Sequence, residues 1–209
     1  MDTHDRTSRL ENEIDKRLLQ LQKRGELSRE HNKRIKPVGS LRPRMYGLPK
    51  THKQNVPLRP ILSMVGSAQH QLAKWLGELL QPALESVSRI VIKDSFTLSD
   101  AIRETCPTGL ENVMCYFDID SLFTNAPLTE TIDICAHLLY HMELEHLPIS
   151  ESVFIELMNM ATRDVEFSFN NIMFVQIDGV AMGSPLGPML GHVPTPSFIQ
   201  RWTRLSAFL

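Results

Sequence analysis

Cysteine is scarce in this sequence, and no long uncharged apolar run occurs in it. The three cysteines, Cys106, Cys115 and Cys135, are odd in number and lack C-x-x-C spacing. Such a set builds no disulfide framework, so a reduced intracellular setting, nuclear or cytoplasmic, is expected. No stretch reaches the roughly 18 apolar residues that a membrane span needs, so no membrane association is expected. The first residues, MDTHDRTSRLENEIDKRLL, lack the apolar core of a signal peptide, which speaks against secretion.

What is present suffices for one domain, alone or with a small appendage. The chain has 209 residues and is 42% apolar. Its net charge of −2 hides an asymmetry: residues 1–59 hold 15 Lys/Arg against 7 Asp/Glu, and the other 150 residues hold 7 against 17. A basic part beside an acidic part suits a phosphate backbone meeting a metal-holding centre. On charge alone it suits a solvated helical arm on an acidic domain better.

Periodicity places the elements. Leu10, Ile14, Leu18 and Leu21 predict a helix over 7–25, and 25–40 reads as a helix stop followed by a basic, polar connector. Pro43, Pro49, Pro57 and Pro60 exclude a long helix from 41–63, leaving extended or looped structure. Helices are predicted over 68–86, from an Asp94 or Ser95 cap to about Glu104, over 129–146 and over 151–164. NVMCYFDI (112–119) reads as a strand, and VEFSF-NN-IMFVQ (165–176) as a hairpin about Asn170-Asn171. DGVAMGSPLGPML then supplies a glycine-rich turn, with Ser184-Pro185 opening a helix. The mixture predicts an α+β domain.

Three stretches could carry chemistry. In YFDIDSLFTNAPL, Asp118 and Asp120 alternate along a strand and so share a face. Paired carboxylates suit Mg²⁺, a hard cation often shared with substrate phosphates. Sugar transferases also use D-x-D, and surface strands carry it by chance. Lys50, His52, Lys53 and Arg59 stud the proline-stiffened stretch, where cations could grip phosphates or simply be solvated. The glycines of GVAMGSPLG (179–187) allow close backbone approach to a ligand, or only a tight helix start.

Taken in order, YGLPKTHK (46–53), PLRPILS (57–63), Ala73-Lys74-Trp75-Leu76, FDIDSLFTNAPL (117–128) and QIDGVAMGSPLGP (176–188) resemble reverse transcriptases, most closely those of Penelope-like retroelements. The resemblance spans roughly residues 15–190. It implies the fingers and partial palm of a right-handed polymerase over 41–190, after a basic helical arm (1–40) and before a divergent tail (191–209). The implied reaction adds deoxynucleotides to a DNA primer on an RNA template with two Mg²⁺ ions.

By the same resemblance Asp118 is the first catalytic metal ligand, with Phe123 five and Pro127 nine places on, and Asp120 a less regular second ligand. Phe123 matches the aromatic gate under the incoming sugar, and a ring there leaves no room for a 2′-hydroxyl. Arg59 matches the fingers arginine on the triphosphate, with Lys53 and Lys50 as helpers. Gly179, Gly183, Ser184 and Pro185 match the turn touching the template and nascent pair. Gln176 matches the glutamine ahead of that turn, although Asp178 occupies the place directly before the glycine.

The sequence departs from the family in one decisive respect. It contains no adjacent Asp-Asp pair, and after Leu190 it reads GHVPTPSFIQRWTRLSAFL in place of the family's aromatic-x-Asp-Asp hairpin. Half of a two-metal site is therefore expected, with no polymerase activity by this chain alone and an open palm-sheet edge beside the Asp118 strand. In the tail, Phe198, Trp202, Leu205 and Leu209 share a helical stripe. The alternative from another class is a non-catalytic RNA- or DNA-binding module using the basic N-terminal region. His137 and His141 stand at i, i+4, but without the Glu of H-E-x-x-H they read as part of an ordinary helix.

Overall fold

The apolar stripe of the first helix explains where it goes. Ile14, Leu18 and Leu21 on α1 (Thr7–Lys23) are buried in one cluster with residues from across the chain. The structure, a computed structural model, describes residues 6–87, 94–105, 122–141, 147–191 and 193. α1 ends where Gly25 takes φ +74°. There Gly25 N–H donates to Gln22 O and Glu26 N–H to Leu21 O, each at 3.0 Å, satisfying the last carbonyls.

A helix replaces the connector expected over 25–40. α2 (Arg29–Ile35) starts at Ser28, whose Oγ accepts from His31 N–H at 3.1 Å. Glu30 sits in its first turn and Lys33 and Arg34 in its last, each matched to the helix dipole, and Ile35 is buried. Capping and one buried anchor outweigh a polar composition.

The remaining helices follow the apolar spacing. α3 (His70–Val87) buries Leu72, Trp75, Leu76 and Leu80. α4 (Ser95–Thr105) begins at Asp94, whose Oδ1 accepts from Thr97 N–H at 2.8 Å. After the one-turn α5 (Leu122–Asn125) come α6 (Leu128–His141) and α7 (Glu151–Thr162), which pack on α3 and on each other. Gln69, itself 1% exposed, donates through Nε2 to Met160 O and Arg163 O at 3.1 and 3.0 Å. That bond pair ties the end of α7 to the start of α3.

The proline-rich stretch forms a hairpin of β1 (Arg44–Pro49) and β2 (Leu58–Ser63), in keeping with extended structure there. β3 (Glu166–Phe169) and β4 (Ile172–Val175) form the second hairpin. Its turn residues Asn170 and Asn171 have φ +50° and +60°, the pair of left-handed conformations that a two-residue turn of this hand demands. The sheet order is β2-β1-β3-β4, with β1 and β3 parallel through Arg44 and Ser168 and both hairpins antiparallel. α8 (Gly187–Gly191) is the last described element.

The protein is therefore α+β, with a mixed four-stranded sheet and two apolar centres. The larger is helical and includes α1; the smaller, under the sheet, gathers Leu62, Met64, Val165, Phe167 and Ala181. Among the described residues no helix is long and apolar enough to cross a membrane. The predicted strand 112–119, the sheet edge expected beside it and the tail stripe lie outside the described residues.

Candidate functional site

The glycine-rich turn is the hub. Val180 N–H donates to Phe123 O at 2.7 Å, and Leu62 N–H donates to Met182 O at 2.9 Å. Three strings far apart in sequence, 57–63, 122–128 and 176–188, thus meet through backbone bonds. Two glycines permit it. Gly179 has φ +72°, and a β-carbon there would lie 2.4 Å from Phe123 O; Gly183 has φ +133°, and one there would lie 2.4 Å from Leu62 O. No side chain fits at either place.

Ser184 is buried. Its N–H donates to Ala181 O at 2.9 Å, and its Oγ accepts from Leu186 N–H at 3.3 Å. The cap expected at Ser184-Pro185 is thus present as a turn, and the helix proper begins three residues after Ser184, at Gly187. The Phe123 ring lies along α8. β-carbons placed on Gly187 and Gly191 would stand 3.5 and 3.7 Å from its Cε1. At those distances the ring is in ordinary van der Waals contact with this helical face.

Gln176 and Asp178 brace the turn from the other side. Gln176 N–H donates to Val165 O, and its Nε2 donates to Asp178 O, both at 2.9 Å. Gln176 Oε1 is buried with no partner among the described residues. Asp178 Oδ1 accepts from Gly179 N–H at 2.8 Å, so this aspartate holds its own turn closed.

Arg59 and Lys53 lie elsewhere. The cross-strand pairs Arg44–Ser63, Tyr46–Ile61 and Leu48–Arg59 share one face of the β1–β2 hairpin, and Met45–Leu62 and Gly47–Pro60 share the other. The second face is the one the glycine turn covers, around a cavity of about 300 Å³ lined by Met45, Pro60, Leu62, Val180, Ala181 and Met182. Arg59 is exposed on the opposite, open face, and Lys53 is exposed in the hairpin turn. The turn is held by Lys50 N–H to Pro57 O at 2.9 Å and Lys53 N–H to Lys50 O at 3.0 Å. The structure therefore unites Phe123, Gly179, Gly183 and Ser184, and it sets Arg59 and Lys53 apart from them. Arg44 and Tyr46, which share Arg59's face, are not among the sequence-predicted site residues, although the alternation R-x-Y-x-L displays them.

Charge is also redistributed by folding. Arg6, Arg9, Arg17, Arg24, Arg34 and Lys36 of the basic arm pair with Glu166, Glu13, Glu156, Glu26, Glu78 and Asp15. Residues 41–63, by contrast, hold five Lys/Arg and no carboxylate.

Asp118 and Asp120 lie outside the described residues. Their chemistry, two hard carboxylates on alternate residues, fits Mg²⁺. Among the described residues no group of three or more His, Cys, Asp or Glu is arranged to hold a metal. His137 and His141 stack on each other at 4.3 Å, and the neighbouring Cys135 is buried, its thiol pushed up to about 12 by that burial. No family model, no curated protein and no solved structure matches the chain.

Proposed function

We propose that this chain is the fingers and part of the palm of a retroelement RNA-directed DNA polymerase, similar to those of Penelope-like elements. The observation that supports it best is the meeting of the three family strings at Met182–Leu62 and Val180–Phe123. Strings that match a family only in sequence have no need to touch; strings that build one site do.

In this reading Arg59, with Lys53, grips the triphosphate of an incoming deoxynucleotide from the exposed hairpin. Phe123 bounds the sugar pocket, held by the same contacts that seat it on α8. Gly179, Gly183 and Ser184 shape the turn beside the template and nascent pair, and Gln176 braces it. Asp118, with Asp120, would hold Mg²⁺, which in such enzymes stabilises charge on the transferred phosphate. The partners are an RNA template, a DNA primer and deoxynucleoside triphosphates.

The reading includes incompleteness, because no Asp-Asp pair occurs within these 209 residues. One strand's acids do not clamp two ions against a triphosphate. Primer extension on an RNA template, with Mg²⁺ or Mn²⁺, should give no product above that of Asp118→Ala. Extension that depends on Asp118 would overturn the incompleteness.

A further inference from the structure

The four-stranded sheet has two edges, and the chain closes only one of them. On the outer side of β2, Leu62 N–H donates to Met182 O at 2.9 Å. Pro60, two residues along on the same side, has no N–H to offer. At the other edge stands β4, which among the described residues has no strand beyond it. From this bare edge we propose that two copies of the chain associate, β4 against β4, about a two-fold axis. The inference goes beyond the polymerase reading, since it needs no nucleotide, metal or template.

Backbone and side chains both favour it. Gln176 N–H points inward to Val165 O at 2.9 Å, so the alternation of the ladder turns the N–H and C=O groups of Met173 and Val175 outward. Such a row of groups is a template for a further strand. Both faces of β4 are apolar. Ile172, Met173, Phe174 and Val175 are 42–60% exposed, Phe169 before the turn is 44% exposed, and Ile177 just beyond the strand is 97% exposed. At roughly 200 Å² for a large residue, these six present on the order of 600 Å² of apolar surface. That is the upper end of what a monomer leaves bare, roughly 300–600 Å². It is also most of the roughly 800 Å² that each partner gives to a standard interface.

Charge and closure select the occupant. Residues 167–177 hold no charged residue, so the strand selects neither an acidic nor a basic partner. Nothing on it repels the same strand turned through a two-fold. Pairing of β4 with the β2 edge of another copy would propagate into open filaments, but Pro60 and the Met182 bond block that edge. β4 on β4 satisfies both bare edges at once and stops at two copies.

Sedimentation equilibrium of the 209-residue chain tests this from about 1 to about 100 µM, a range that brackets a dissociation constant on the order of micromolar. The mass should rise from one chain to two. Val175→Lys and Val175→Glu each set a charge on the outer ladder of both copies, and each should weaken association at least roughly tenfold. An equimolar mixture of the two should recover it, which unfolding could not do. Circular dichroism checks the fold, and Met173→Lys with Met173→Glu replaces the pair if either unfolds. A parent chain that stays monomeric throughout would overturn the proposal and leave the edge to a strand from another protein. So would a dimer indifferent to the Lys and Glu variants, or growth past two copies. None of these results bears on nucleotide binding at Arg59, so failure here leaves the polymerase reading standing.

Discussion

Gly179 and Gly25 have nearly the same backbone torsion, φ +72° and +74°, but opposite surroundings. A β-carbon at Gly25 meets nothing within 4 Å, whereas one at Gly179 meets the carbonyls of Phe123 and Thr124 at 2.4 and 2.6 Å. Gly25→Ala should therefore cost only the left-handed strain, about 1–2 kcal/mol. Gly179→Ala adds overpacking and should cost roughly 2–5 kcal/mol, measured by urea unfolding. Equal costs would mean that residues 123–124 do not press on the turn. Cys135 gives a second check at this scale. With its thiol pushed up to about 12 by burial, it carries almost no thiolate at pH 8. Iodoacetamide should leave Cys135 unlabelled in the native protein and modify it in urea, as mapped by mass spectrometry. The importance of Gly179 and Gly183 was legible in the sequence as a glycine pattern. Their partners were not, because a carbonyl approaching from 56 or 121 residues upstream leaves no mark on local composition.

At the scale of elements, legibility followed the strength of the local signal. Among the described residues, six of the eight helices and the Asn-Asn hairpin announce themselves through spacing, caps or turn residues. α2 did not, because only Ile35 and Asn32 of its seven residues are buried and its charged surface reads as connector. Its start rests on a single side chain, so Ser28→Ala should lower stability by about 1 kcal/mol. A loss below a few tenths would mean that packing of Ile35 alone sets the helix. The hairpin from Arg44 to Ser63 was readable as extended from its prolines. Its pairing register depends on cross-strand contacts, and with it the face each side chain occupies.

For the whole molecule, the arm and the domain behave as one body. α1 contributes Ile14, Leu18 and Leu21 to the same cluster as α3, α6 and α7, and its cations are spent largely on ion pairs. The β1–β2 hairpin, with no acid of its own, has two unlike faces. One is covered at Met45 and Leu62 by the glycine turn that links Leu62 to Phe123; the other presents Arg44, Tyr46 and Arg59 to solvent. The site's outline was legible in the order of the strings. The separation of Arg59 from the glycine turn was not, because strand parity only acquires a direction once the partner strand is known.

The account stands on that hairpin holding a nucleotide. The direct measurement is equilibrium binding of a fluorescent deoxynucleoside triphosphate in Mg²⁺, comparing the parent chain with Arg59→Ala. The account predicts saturable binding that weakens at least about tenfold when the charge-assisted contact is lost. Binding that is absent, or that is indifferent to Arg59, would contradict it.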